Sequence, residues 1–452
     1  YDKKRQAVFY QTSFDTVAGE ISFENEAIFL KGEEGYGLIW EDGLILPGLR
    51  KTDKVRVSTT QAIRGQILDR NEQVLAGPGI ASSVGIVPGK LTDREAAVAE
   101  VAALLGMQPE DVEKKLSAKW VKEDYFVPLK TVPKIDEIEW LIPLETDEEI
   151  EREKERQEKL LEIPGVLISD TEVRAYPLGE AAAHLVGYVQ NVTAEDLEKH
   201  TGEGYTANSV IGRNGMEGLF EKELKGQNGR IISIVTSQGE EKQVLAAIPR
   251  IDGQDITLTI DSSLQEMVYD AFEDSKSCTV AMNPYTGEVL ALVNTPSYDD
   301  NDFILGMSEE TWAGLNEDER KPMLNRFRQR FAPGSSFKPI TGVIGLTTGA
   351  LTPDENFGED AAGLSWQKDA GWGGYYVTTL NGYSPVNLKN AYIYSDNIYF
   401  ARAALKIGKD DFMAGLDRLG FNQKLPFEIS VAELQYSNTD QIETEIQLAD
   451  SG

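Results

Sequence analysis

The chain is poor in the residues that build disulfides and metal centres. Its 452 residues include one cysteine, Cys278, and two histidines, His184 and His200. One cysteine excludes an internal disulfide, and so few ligands argue against a zinc site of the usual kinds. Basic residues are also scarce: 44 Lys and Arg face 75 Asp and Glu, a formal charge of −31. Phosphate backbones are held by clustered Lys and Arg, so this balance argues against a nucleic-acid partner. It equally disfavours adhesion to an anionic membrane surface. No run approaches the 18 or more apolar residues of a membrane helix, and no signal-peptide pattern is present. The chain starts at Tyr1 and stops at Gly452 without tail-like composition, so it is expected to be a portion of a longer protein.

What is present is the composition of a folded protein, with 41% hydrophobic and 26% charged residues. The length suits about three domains at roughly 150 residues each. Residues 1–50 read as strands and turns, with short apolar runs at Ile21–Phe23, Ala27–Leu30, Gly35–Trp40 and Leu44–Pro47. Gln66–Leu68 reads as a strand before a turn at Asp69–Asn71, and Glu95–Leu105 as a helix. Residues 145–162 are rich in acids, with Glu148/Arg152 and Glu155/Lys159 at i,i+4, and read as a solvated helix or linker. A second β-rich stretch runs from Arg230 to Ile260, ending in the alternating Asp255–Ile260. A helix over Ser263–Phe272 and two strands, Thr279–Met282 and Val289–Val293, follow. From Ala332 the pattern is mainly helical.

Few groups could do chemistry. A serine can be activated by a lysine whose amine is desolvated, and Ser and Lys three residues apart share one helix face. Two such pairs occur, Ser335/Lys338 and Ser365/Lys368. Ser335 follows the turn Pro333-Gly334, where a helix N-cap belongs. The following Ile340–Leu346 is apolar or small on every side, as in a buried helix. A serine there stands at the positive end of a helix dipole, and a lysine there leaves water. Ser335 can equally be a plain N-cap. Ser365/Lys368 lies among Trp366, Gly371, Trp372 and Gly373 and reads as loop. Ser395-Asp396-Asn397 interrupts two apolar segments and can present a hydroxyl and an amide to one cleft, or simply mark a helix boundary.

Ser335-x-x-Lys338 followed by Ser395-x-Asn397 resembles the first two signatures of penicillin-binding proteins and class A β-lactamases. Earlier segments resemble class B penicillin-binding proteins: Arg64-Gly65-Gln66-Ile67-Leu68-Asp69-Arg70-Asn71, Arg174-x-Tyr176-Pro177-x-Gly179 with His184, and Gly212-x-x-Gly215-x-Glu217. Gly253-x-Asp255, Pro284-x-Thr286-Gly287 and Pro296-Ser297-Tyr298 also fit. Phe126–Lys130, Trp366-Gln367-Lys368 and Trp372–Tyr375 resemble the low-affinity, methicillin-resistance-type subgroup. Two departures stand out. The family's third signature, Lys-Thr/Ser-Gly, is absent, and Glu72 stands where the family commonly has glycine.

The resemblance implies a multidomain α+β protein, a β-rich pedestal followed by a serine β-lactamase/transpeptidase-like α/β domain cut short at its C-terminus. Residues 1–50 would end a nuclear-transport-factor-like domain, 51–255 form the dimerisation or pedestal domain, and 256–452 the incomplete transpeptidase domain. It implies a D,D-transpeptidase that cross-links peptidoglycan stem peptides ending in D-Ala-D-Ala, without a cofactor, at the outer face of the cell membrane. Ser335 would be the nucleophile, Lys338 its base, Ser395 a proton relay and Asn397 an orienting group. β-Lactams would acylate Ser335, and the N-terminal half would dock other cell-wall synthesis proteins. A serine β-lactamase and a non-catalytic β-lactam-sensing or scaffold protein are the alternatives.

Overall fold

The computed structural model describes residues 5–135, 147–358 and 363–452. It divides into two compact units, Tyr1–Leu324 and Asn325–Gly452. The first opens with a long antiparallel hairpin, Arg5–Thr16 against Gly19–Lys31, extended by Tyr36–Leu38. The runs Ile21–Phe23 and Ala27–Leu30 are thus one strand. Glu24 and Glu26 merely occupy its solvent face, while Ile21, Phe23, Asn25 and Ala27 share the other. Leu44–Pro47 is not a strand. The chain makes a 3-10 turn at Asp42–Leu44, whose carbonyls accept from Asn25 Nδ2 and Tyr10 Oη at 2.6 and 2.7 Å.

A second sheet places Gly229–Val235 between Glu241–Ile248 and Lys54–Thr60. The third is built on Val74–Ile86, which pairs with Val127–Val132 on one side and Val166–Ala175 on the other. Ile67–Leu68 pairs with its start, and Ile256–Thr257 joins Ile67–Leu68 in parallel. The alternating stretch 255–260 therefore supplies only a two-residue strand. Helices Arg94–Leu105, Pro109–Leu116 and Asp147–Glu162 share an apolar core with this sheet, including Val84, Ile86, Val101, Leu105 and Leu160. The first starts where Asp93 accepts from Ala96 N–H and ends at left-handed Gly106. The acid-rich helix is not simply solvated, because Leu160 is fully buried and Glu153 nearly so. Its Glu155–Lys159 pair forms at 3.9 Å, whereas the Glu148/Arg152 pair lies outside the described side chains.

The turn after Leu68 explains one departure from the family pattern. Glu72 has φ +64°, a conformation that glycine adopts without penalty. Asp69 fixes that turn by accepting from the N–H groups of Asn71 and Gln73, and it also accepts from Ser262 N and Oγ at the head of the helix Ser262–Phe272. The three motif segments converge on one carboxylate. Glu217 is 0% exposed and receives Arg64 on Oε2 and Arg174 on Oε1, each at 2.6 Å. Arg64 also reaches Glu221 at 2.6 Å, and Glu221 accepts from Gly212 N–H. Two guanidinium groups and two carboxylates thus balance in the interior of the first unit.

In the second unit the helix Lys338–Thr348 packs with Leu388–Ile393, Asn397–Ile407 and Lys409–Arg418 around Ile344, Tyr399, Phe400, Phe412 and Leu416. The Lys338 helix is not buried all round: Thr341, Gly342, Ile344 and Gly345 face the core, while Val343 and Leu346 are exposed. Gly342 leaves room for Tyr392, whose hydroxyl a Cβ at that position would overlap.

Two outcomes follow for the first unit. Removing one member of a buried ion pair leaves an uncompensated charge, so Glu217→Gln should lower the unfolding free energy by about 3–5 kcal/mol. Urea denaturation tests this, and a change below about 1 kcal/mol would contradict it. Burial pushes the Asp299 carboxyl up to about 7, against hydrogen bonds from Asn301 that lower it. Its raised value means the neutral form is favoured on folding. The associated stability is complete below about pH 4 and is lost as pH climbs to about 7. The wild-type melting temperature should therefore fall relative to Asp299→Asn across pH 4–7 and run parallel above it. Profiles parallel throughout would refute this assignment.

Candidate active site

The site is assembled within the second unit from two helix starts and one strand. The chain turns at left-handed Gly334 into a 3-10 segment, Gly334–Phe337, and the α-helix begins at Lys338. Ser335 is consequently not an N-cap. Its side chain caps nothing and is exposed, free to face a ligand, while Ser336 Oγ takes up the local bond to Pro333 O at 2.7 Å. Pro339 sits in the first turn, where its missing N–H costs nothing.

Lys338 is 6% exposed, and its Nζ is surrounded by oxygens. Ser335 Oγ lies at 3.1 Å, Ser395 Oγ at 3.0 Å, Ser395 O at 2.7 Å and Asn397 Oδ1 at 2.6 Å. The Phe400 ring closes the site, its centroid 5.8 Å from Nζ. Burial holds the lysine below its ordinary value, opposed by the field of Asp396. Ser395 has φ +50°, a strained conformation for serine that directs both its carbonyl and its hydroxyl toward Lys338.

The hydrogen-bond inventory constrains what the lysine can do. Ser395 O and Asn397 Oδ1 can only accept. The orientation of the Asn397 amide is fixed by its other end, where Nδ2 donates to Thr378 O at 2.9 Å. A neutral amine satisfies both acceptors with its two N–H groups and keeps a lone pair for the two hydroxyls. The same cage therefore accommodates lysine as ammonium and as base. Thr378 belongs to the hairpin Ser365–Trp366/Val377–Thr378, seated by Trp372 against Ile398 and Ala401.

The structure brings Ser335, Lys338, Ser395 and Asn397 together and leaves the second Ser-x-x-Lys pair apart. Ser365 lies on the exposed hairpin, which the sequence reads as loop, and Lys368 pairs with Glu445. His184 belongs to the first unit, with Nε2 2.7 Å from Pro322 O, and His200 stands 3.1 Å from Glu203. Sequence reasoning missed Thr378, Tyr392 and Tyr383. Tyr392 donates to Lys338 O at 3.4 Å, and Tyr383 donates to Asp396 at 2.7 Å. Only the central Asp396 of the Ser395 triplet signalled such a partner, because a buried carboxylate needs donors.

Comparison with known proteins gives the family. Residues 59–258 match the penicillin-binding protein dimerisation domain, and residues 277–451 match the penicillin-binding protein transpeptidase domain. Penicillin-binding protein 3 of Bacillus subtilis is 39% identical over 461 aligned residues, covering 100% of this chain and 65% of the relative. The peptidoglycan D,D-transpeptidase MrdA of Escherichia coli K12 is 31% identical over 57% of this chain and 41% of its own. The chain thus spans less than two thirds of the length of these relatives. Among solved structures, a complex between penicillin-binding protein PBP2 and MreC from Helicobacter pylori shares the α+β fold. It has a TM-score of 0.64 at 21% identity, over 88% of this chain and 72% of that one. With a dimerisation domain leading into a transpeptidase domain, and a penicillin-binding relative that aligns with all of this chain, the chain belongs to the class B penicillin-binding proteins.

Proposed function

We propose that the protein is a serine D,D-transpeptidase that cross-links peptidoglycan stem peptides ending in D-Ala-D-Ala. The observation that carries this reading is the desolvated Lys338 amine, within 3.1 Å of the exposed Ser335 hydroxyl and 3.0 Å of Ser395 Oγ. Ser335 Oγ attacks the penultimate D-Ala carbonyl while Lys338 takes its proton. The C–N bond to the terminal D-Ala breaks, and Ser395 passes a proton to the departing amine. The acceptor amine of a second stem peptide then attacks the ester, forming a new peptide bond and regenerating the Ser335 hydroxyl. Asn397 holds Lys338 through Oδ1 and orients the substrate amide. The Ser335 N–H supplies one oxyanion donor. A β-lactam ring opens on the same serine and leaves an acyl-enzyme. A β-lactamase is the weaker reading, since it has no use for a dimerisation domain.

The domain divisions 1–50, 51–255 and 256–452 follow from the same reading, with the first the end of a nuclear-transport-factor-like domain. The three-stranded sheet over Arg5–Leu38 supports that division. Phe126–Lys130 and Trp366–Tyr375 support the methicillin-resistance-type subgroup. We place the protein at the outer face of the cell membrane, where its substrate lies. The Helicobacter pylori complex with MreC suggests cell-wall assembly proteins as partners of the N-terminal half.

Fluorescent penicillin labelling of the full-length protein tests the assignment. Ser335→Ala should abolish labelling and Ser365→Ala should retain it; the reverse pattern would overturn the reading. Lys338→Arg keeps the charge, but guanidinium stays protonated and cannot act as base. Acylation by that variant should fall at least about 100-fold, the lower range for loss of a general base. Near-normal acylation at neutral pH would assign the proton transfer to another group.

A further inference from the structure

The strained Ser395 turn is braced from behind by a pair of side chains outside the reacting set. Asp396 is 0% exposed, and its two oxygens have separate duties. One accepts from Ile398 N–H at 2.8 Å and caps the helix Asn397–Ile407; Oδ2 accepts from the Tyr383 hydroxyl at 2.7 Å. Asp396 N–H and Ser395 N–H in turn hold the carbonyls of Ala391 and Tyr392 at 2.9 and 3.2 Å. Tyr383 is itself fixed, with its ring stacked on Tyr394 at 4.7 Å and 14°. The triplet is thus clamped on both sides of Ser395, the residue that gives Lys338 two of its four oxygens.

We propose that Tyr383 is a positioning residue for acylation: by holding Oδ2 of Asp396, its hydroxyl keeps the Ser395 turn in register with Lys338 and damps the field of the carboxylate at the amine. The inference rests on the reading of Ser335 as nucleophile and Lys338 as its base. Burial and the Asp396 carboxylate both hold the Tyr383 phenol protonated, so it remains the donor throughout the working pH range. The Asp396 field acts on Lys338 in the direction that keeps its proton. A hydrogen bond into Oδ2 draws negative charge toward Tyr383 and weakens that effect. The other titratable groups around the pair are Tyr399, which feels Asp396, Tyr392 and Glu355, and Tyr394 on the Tyr383 ring.

Two near-isosteric substitutions then move the reaction in opposite directions. Tyr383→Phe keeps the ring and its stacking but removes the donor, leaving the full carboxylate field on Lys338. Asp396→Asn keeps an acceptor for Ile398 N–H and offers its amide to Tyr383, but removes the field. Acylation of the full-length protein by a penicillin should be followed from pH 5 to 10, with thermal melts confirming that each variant is folded. For Tyr383→Phe the rate at pH 7 should fall roughly tenfold, the scale of one hydrogen bond, and the acid limb should move to higher pH. For Asp396→Asn the acid limb should move to lower pH. Limbs unchanged in both variants would show a purely structural role and overturn the proposal. Shifts of the same sign in both would overturn it as well. A wild-type protein that penicillin does not acylate would instead defeat the transpeptidase reading, so the two failures are distinguishable.

Discussion

Everything at the site depends on a lysine taken out of water at the head of a helix. An ammonium in that position is tolerable only if its hydrogen bonds are met, and Lys338 meets them with oxygens from two separate chain segments. That requirement dictates much of the second unit. Gly342 lets Tyr392 approach the Lys338 helix, and Tyr392 lies just before the Ser395 turn. The hairpin Ser365–Trp366/Val377–Thr378 supplies the carbonyl that fixes the Asn397 amide. The Gly342–Tyr392 and Thr378–Asn397 contacts join segments well apart in sequence, and together they help set four oxygens around one nitrogen.

The first unit solves a similar problem with opposite means. Glu217 is buried as completely as any residue of the chain, and two guanidinium groups compensate it directly. Arg64, Arg174 and Glu217 come from segments far apart in sequence, so their meeting fixes the register of the strand Ile67–Leu68, the strand Val166–Ala175 and the turn into Gly215–Leu219 at once. Such a cluster adds little net stability over an apolar core, because desolvation offsets attraction. Its value lies in specificity: alternative pairings would strand a buried charge.

Legibility in the sequence followed the range of the interactions. Helices with local caps, such as Arg94–Leu105 after Asp93 and Ser262–Phe272 after Asp261, were readable within a residue because both signals lie in the element itself. The strands Ser277–Met282 and Val289–Thr295 flank a turn-rich segment and read in the sequence as Thr279–Met282 and Val289–Val293, each two residues short at one end. The hairpin at the start was broken into pieces by its own solvent-facing glutamates, and Asp255–Ile260 looked like a full strand because alternation cannot report how many partners a strand finds. At the site, residue spacing brought out Ser335/Lys338 and Ser365/Lys368 alike. Context favours the first pair, which heads an apolar helix, and tertiary placement agrees: Lys338 turns inward while Lys368 turns to Glu445. Tyr383 was invisible for the same reason: it lies in a loop, and nothing local marks its hydroxyl as the partner of Asp396.

The contrast between the buried arginines and Lys338 carries a chemical lesson. Arg64 and Arg174 sit against carboxylates and are structural, because a guanidinium does not give up its proton in a protein. The oxygens within reach of Lys338 belong instead to two hydroxyls, a backbone carbonyl and a carboxamide. Such groups satisfy the amine's hydrogens without binding its charge, so burial can lower its proton affinity unopposed by a direct partner. Asp396, the acid whose field reaches Lys338, spends its oxygens on Ile398 and Tyr383. A carboxylate in place of the Asn397 amide would complete an ordinary ion pair and leave Lys338 protonated at neutral pH. The amide at that position, oriented by Thr378, instead gives Lys338 an acceptor that carries no charge.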